Sequence, residues 1–219
     1  MSTSSRAGAA APARIRMTPH GRREQLLDLG VELLSTRSLD ELSIETLAEE
    51  AGVSRGLLYH YFGSKRDFHR AVVQRAADDL IRVTAPASTG EPLERLTASL
   101  AAYVDYVQAN YAGYISLVRG AAGGDEDLRE IYEQARAALT DRIFDESSVE
   151  PVETTSEDLL GALGPADTPA ARLMARGWAA LVEDVVLAWV RNDHGMGKQD
   201  LLARLAAALP GVLGRLPSP

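Results

Sequence analysis

Apolar side chains recur at intervals of three and four along most of this chain, the period of a helix that buries one stripe. The first stripe is Leu26, Gly30, Leu33 and Leu34, joined by Leu27 and Val31. It predicts a helix from Thr18-Pro19 to about Thr36, with Thr18 as N-cap and Pro19 where a missing N–H would have had no partner anyway. Ile44, Leu47, Ala48 and Ala51 predict a second, shorter helix that Ser43 caps and Gly52 ends. Val53 follows as an apolar plug, Ser54 is another cap, and Leu58 and Phe62 share the buried side of a third helix. Ser64 and Asp67 form a capping box opening a fourth, in which Phe68, Val72, Ala76, Leu80 and Val83 repeat.

A Pro/Ser/Thr/Gly loop over Ala85 to Pro92 separates these elements from a second set. A helix of about Leu93 to Asn110 buries Leu96, Leu100, Tyr103 and Val107, and a short one follows from Tyr111 to Arg119. Gly120 to Gly124 reads as a turn, and Asp125 caps a helix of about Glu126 to Phe144 with Leu128, Ile131, Tyr132, Ala135, Leu139 and Ile143 inside. Glu146 to Asp167 is an acidic insert with Pro and Gly, expected to be mobile, with at most a turn or two of helix near Ser156 to Leu163. Thr168-Pro169 repeats the cap-plus-proline start of a helix reaching about Asn192. Its Leu173, Gly177, Trp178, Leu181, Val182, Val185, Val186 and Trp189 exceed what one stripe needs, so two faces must be covered. The last helix, about Gln199 to Leu213, carries Leu201, Leu202, Leu205, Ala208, Leu209 and Val212 on one side. These two C-terminal helices suit a four-helix homodimer interface; the alternative is that both complete an intramolecular core. The fold class is all-α.

The stretch from Ser43 to Lys65 carries the chemistry. Ala48, small and four residues before Gly52, lets two helices cross steeply at a short turn. That is a helix-turn-helix, whose second helix enters the major groove of DNA. On that helix Arg55, Tyr59, His60 and Tyr61 crowd about two turns, and Lys65 follows just past its end. Arginine pairs with guanine, while tyrosine and lysine suit phosphates. Gly56 and Leu57 would allow close backbone approach or contact with a thymine methyl. The plainer alternative is a helical hairpin with a solvated charged face. The double capping, the small-residue turn and the aromatic–basic second helix together favour DNA.

The run from Arg22 to about Val73, with LSIETLAEEAGVS and then GLLYHYFGSKRDF, is similar to the N-terminal domain of the tetracycline-repressor (TetR) family of transcriptional regulators. The resemblance implies an all-helical dimer with a three-helix DNA-binding head and a larger ligand-binding, dimerising body. It implies that Arg55, Gly56, Leu57, Tyr59, His60 and Tyr61 are recognition-helix residues, that Lys65 contacts phosphate, and that Ser43 is a phosphate-facing cap. Ser54, the cap of that helix, joins them. Family members often carry Tyr-x-His-Phe where this chain has Tyr59-His60-Tyr61-Phe62, a departure that bears on the operator sequence. The segment YAGYISLVRGAAGGDEDLREIYE resembles one actinobacterial-looking group of such regulators. The expected division is a disordered basic arm at 1–17, a helix-turn-helix domain at 18–66 and a ligand-binding and dimerisation domain at 67–219.

Charge sharpens this picture. The net charge of −8 argues against nucleic acid until the chain is split after Arg75. The first part holds 11 Lys/Arg and 9 Asp/Glu (11 − 9 = +2), the rest 12 and 22 (12 − 22 = −10). Arg6, Arg14 and Arg16 give the N-terminal segment its basic character; an arm touching DNA and a plain tail are both open. The 219-residue chain has no Cys, no apolar run long enough to span a membrane and no signal-peptide core, so a cytoplasmic location is expected. His20, His60, His69 and His194 make no metal spacing, and neither a P-loop, a Rossmann fingerprint nor a Gly-x-Ser-x-Gly occurs. No cofactor and no enzyme activity are expected.

For the body, Tyr103, Tyr106, Tyr114 and Trp178, with Trp189, are candidates to line an effector pocket, and Asn110, Glu183 or Asp184 to anchor a polar group. The alternatives are ordinary core packing for the aromatics and plain solvation for the acidic residues. The fourth helix, roughly 30 Å long at 1.5 Å per residue, would link pocket to head. The expected function is a ligand-responsive regulator, a repressor binding a palindromic double-stranded operator as a homodimer and released by a small, partly apolar effector. The rival is an architectural or partner-gated DNA-binding protein without a small-molecule ligand.

Overall fold

The computed structural model describes residues 18–144 and 167–213. The expected basic arm, and the insert up to residue 166, lie outside the described residues. These form α1 Pro19–Thr36, α2 Ile44–Ala51, α3 Arg55–Phe62, α4 Lys65–Val83, α5 Pro92–Ala109, α6 Tyr111–Ala122, α7 Glu126–Asp141, α8 Pro169–Arg191 and α9 Lys198–Leu213, with no strand among them. Local chemistry sets most of the starts. Thr18, Ser43, Ser54, Ser64, Asp125 and Thr168 each accept, through a side-chain oxygen, the backbone N–H three residues on. Gly52, at φ 62° and ψ 37°, turns the chain out of α2 in the left-handed conformation.

Two cores hold the helices together. The first joins α1 to α4 through Leu26, Leu34, Leu47, Leu58, Phe62 and Phe68, and α7 completes it with Leu128, Ile131 and Ala135. The second is built by α5, α8 and α9 around Val104, Val107, Trp178, Val186 and Leu201. Helix α4 serves both, with Phe68, Val72, Val73 and Ala77 in the first core and Leu80 in the second. The helix-turn-helix therefore rests on an element that reaches into the rest of the molecule.

Three local expectations are corrected. Val83 is 40% exposed, because the inward stripe of α4 runs through Val73, Ala77 and Leu80 to the buried Thr84, which turns Val83 outward. Helix α6 runs on through Gly120 to Ala122 where a turn was expected. A Cβ at Gly120 would lie 2.3 Å from Leu128 Cδ1, so the glycine serves close packing against α7 rather than a break. Helix α7 ends at Asp141, and Ile143 and Phe144 continue only as tight turns onto the Thr140 and Asp141 carbonyls.

The C-terminal helices divide their faces unequally. Leu201, Leu202, Leu205 and Leu209 of α9 are buried against α5 and α8, so the large apolar side of α9 completes the intramolecular core. Helix α8 buries Ala175, Trp178, Val182 and Val186, yet leaves Leu173, Met174 and Leu181 exposed at 69%, 47% and 46%. Gly177 and Ala180 are exposed with them, a stripe along the outer face.

Candidate nucleic-acid interface and effector cavity

Helix α3 sits on the rest by Leu58 and Phe62, both buried, and by an edge-to-face contact of Phe62 with Phe68 at 5.2 Å between centroids. This anchoring directs Arg55, Gly56, Tyr59 and His60 outward, and Ser54 and Lys65 stand exposed at the helix flanks. Leu57 and Tyr61 are half-buried at the edge of the face. Tyr61 packs on the first core and holds the His60 ring edge-on at 5.5 Å. Arg55 lies 3.6 Å from Glu45 of α2, an exposed pair that a phosphate or base edge could displace at little cost. Ser43 accepts the Thr46 N–H at 3.0 Å and hydrogen-bonds the Thr46 hydroxyl at 2.9 Å. Arg23 of α1 stacks over the Phe62 ring at 5.4 Å, tying the helix-turn-helix to α1 from the other side.

Helix α4 is clamped at three places. His69 Nε2–H donates to the Leu42 carbonyl at 2.5 Å, just before α2. Arg75 holds Glu24 at 2.7 Å and Asp28 at 2.6 Å, both on α1. Arg66 and Arg70 reach Asp127 of α7 at 2.5 and 3.4 Å. Burial lowers the pKa of His69 below the usual imidazole range, and its bond to Leu42 opposes this only in part.

Behind these clamps lies a cavity. Its walls are Val31, Leu34 and Ser35 of α1, Val73, Ala76, Ala77 and Leu80 of α4, and Tyr106 and Asn110 at the end of α5. Gly113, Tyr114 and Leu117 of α6 and Tyr132, Ala135, Arg136 and Leu139 of α7 complete it. The space open to the centre of a water-sized sphere is about 40 Å³, enough for a few waters. A larger molecule must part the helices to enter. Tyr106 OH donates to the Ala76 carbonyl at 2.7 Å, and Asn110 Nδ2–H to the Tyr106 carbonyl at 2.9 Å. The Tyr103 and Tyr114 hydroxyls lie 2.8 Å apart. Burial pushes the Tyr103 and Tyr114 phenols well above their ordinary range and Tyr106 up to about 12, so all three are neutral donors.

The pocket expected from sequence is thus partly assembled and partly not. Tyr106, Asn110 and Tyr114 line the cavity, and Tyr103 stands directly behind Tyr114. Trp178 does not line it: its ring closes the α8–α9 core and its indole N–H donates to the Leu205 carbonyl at 3.0 Å. Asp184 is exposed on the outer side of α8, away from the cavity wall. Trp189 also packs in the second core and donates to the Met196 carbonyl at 2.7 Å. Sequence reasoning missed the α1 wall and the Tyr132–Arg136 pair. Tyr132 and Arg136, four apart on α7, were legible as one helix face, and Arg136 Nη1–H donates to Tyr132 OH at 2.8 Å. Among the described residues no cluster of metal-ligating side chains occurs, and no helix is long and apolar enough to cross a membrane.

An all-helical chain with a capped helix-turn-helix on a helical body defines a DNA-binding transcriptional regulator. Residues 26–72 match the family model for bacterial regulatory proteins of the tetR family, and residues 92–209 match a tetracyclin repressor-like C-terminal domain. The chain belongs to the TetR family. It is 26% identical over 204 residues to the transcriptional activator FasR of Mycolicibacterium smegmatis, covering 92% of this chain and 87% of that one. It is 37% identical over 60 residues to the transcriptional repressor KstR2 of Rhodococcus jostii, covering 27% of this chain and 29% of that one. The crystal structure of a tetR-family transcriptional regulator from Streptomyces coelicolor superposes with a TM-score of 0.73 at 30% identity, covering 90% of this chain and 82% of that one.

Proposed function

We propose that this regulator binds a palindromic operator as a homodimer, represses from it, and is released by a small, partly apolar effector. The observation that carries the reading is the position of the cavity. Its walls come from α1 and α4, which hold the helix-turn-helix, and equally from α5, α6 and α7. A molecule that parts these walls must move α1 or α4, and α4 carries the His69–Leu42 bond into the start of α2. Occupancy of the cavity is then coupled to the placement of α3.

On DNA, Arg55, Gly56 and Tyr59 face the major groove with His60, Tyr61 and Leu57 at the edges, while Ser43, Ser54 and Lys65 take phosphates. The exposed stripe of α8, flanked by α9, supports a two-fold dimer, which sets two α3 helices on successive turns of the duplex. The FasR relative is named an activator, so the sign of regulation is a separate matter from operator binding, and transcription in vitro from a promoter bearing the site decides it.

The test is selection of purified protein against a library of duplex DNA, with Tyr59→Ala as control. A palindromic site, bound about tenfold to a hundredfold more weakly by the variant, is the expected result. Binding to random DNA alone, steep in salt and unchanged in the variant, would favour an architectural role instead.

A further inference from the structure

Arg136 stands apart from the other arginines that bridge helices. Arg66, Arg75 and Arg172 each hold a carboxylate, and Arg142 bonds the Ile81 carbonyl near the end of α4, where the helix dipole welcomes a cation. Arg136 is half-buried in the wall of an otherwise mostly apolar cavity, and its hydrogen-bond partners are neutral: Tyr132 OH at 2.8 Å and the Arg176 carbonyl at 3.2 Å. No carboxylate bonds it directly among the described residues; Glu183, linked through the shared Tyr132 hydroxyl, and Glu133 act on its charge from further off. A guanidinium carries five N–H donors, and charge-assisted bonds to an oxyanion are about twice as strong as bonds to neutral acceptors. The guanidinium therefore has donors to spare and no directly bonded counter-ion.

A second polar group, the Tyr114 hydroxyl, borders the same space. One hydrogen serves the bond between the Tyr103 and Tyr114 hydroxyls, so the other phenolic hydrogen of the pair has no acceptor among the described residues. Tyr114 lines the cavity. The nearby carboxylate, Glu183 of α8, is not in the cavity wall; its two oxygens share the single Tyr132 hydroxyl hydrogen at 3.0 and 2.8 Å. Burial raises the pKa of Glu183, and the hydrogen bond from Tyr132 and the charge of Arg136 oppose that shift.

We propose that the cavity takes a mainly apolar molecule bearing one carboxylate, with the Arg136 guanidinium as its counter-ion. The inference rests on the reading of this cavity as the effector site. The aliphatic walls from Val31, Leu34, Val73, Leu80 and Leu139 cover the body of the ligand, and Arg136 fixes the end that carries the charge.

The test compares three soluble probes of one shape, 4-phenylbutyrate, its methyl ester and its primary amide, by calorimetric titration of the full chain. Wild type is expected to bind the carboxylate at least tenfold more tightly than either neutral probe. Arg136→Gln is expected to erase that preference while keeping the neutral affinities. Arg136→Lys, which keeps the charge and the stem, retains the preference with weaker carboxylate binding and carries the comparison if the glutamine variant does not fold. Ala135→Leu, which fills the cavity, is expected to weaken all three probes. A preference that survives intact in Arg136→Gln overturns the assignment of the anion to Arg136. Equal binding of acid, ester and amide in wild type, all weakened by Ala135→Leu, overturns the carboxylate but leaves the cavity as the effector site. Failure of every probe, or binding indifferent to Ala135→Leu, removes the cavity reading and this inference together.

Discussion

A methyl group added at Gly56 would meet nothing in the protein closer than Ser54 Oγ at 3.9 Å, and Gly56 has an ordinary helical backbone. The fold gives no reason for glycine there, and glycine inside a helix is less stable than alanine by about 0.5–1 kcal/mol. Gly56→Ala is therefore expected to raise stability by about that amount in denaturant unfolding while weakening operator binding, because the added methyl fills space that the groove needs. His69 gives a pH dependence of known sign. Its folded pKa lies below the ordinary imidazole value of 6.5, through burial and the charge of Lys65, with Asp40 and Asp125 opposing. The unfolded chain then takes up the proton first, so stability falls as pH drops through 6.5 toward the folded value. Wild type is expected to lose more stability between pH 7 and pH 5 than His69→Gln, whose amide can still donate to Leu42. Of these residues, the outward set on α3 was legible because Leu58 and Phe62 fix which side is buried. The role of His69 was not, since its partner is a backbone carbonyl 27 residues away.

At the scale of elements, the close approach of α6 to α1 decides the shape of the cavity. A Cβ on Gly113 would lie 2.5 Å from Leu34 Cγ and 2.7 Å from the Leu34 carbonyl oxygen. Gly113→Ala must push α6 off α1, with a loss of about 1–3 kcal/mol expected from overpacking. The same variant is expected to lower operator affinity although it touches no DNA-facing residue; binding to the selected operator, compared with the denaturation midpoint, checks both. Helix starts were readable from sequence because caps are local: a serine, threonine or aspartate and the N–H three residues on. The α1 wall of the cavity was not, because four helices separate Leu34 of α1 from Gly113 of α6 along the chain. Trp178 misled for a similar reason. Its spacing fits a pocket face and a core face equally, and the Leu205 carbonyl, which settles the matter, lies on another helix.

At the scale of the whole molecule, the outer stripe of α8 is the feature that one chain leaves uncovered. Leu181→Glu places a charge at the C-terminal end of that stripe while leaving both cores intact. It is expected to convert a dimer to a monomer in sedimentation at micromolar concentration, with little change in thermal midpoint beyond the loss of the partner, and to weaken binding to the full operator far more than to a half-site. The excess of apolar residues on α8 was visible in the sequence; that α9 places its leucines inside the chain's own core was not, since a one-sided apolar stripe fits an inner core and a dimer interface equally.

In the proposed mechanism the state of the cavity sets the spacing of the two recognition helices. The chain has no cysteine, so Glu49→Cys, on the exposed side of α2, gives one spin-label site per protomer. The distance between labels in the dimer is the measurement, taken with and without Gly113→Ala in the same background. The account requires one well-defined distance in the parent, displaced by about 1–2 Å or more when α6 is forced from α1. An unchanged distance in a folded Gly113→Ala protein that has lost operator affinity, or no dipolar coupling in protein saturated on its operator, would contradict it.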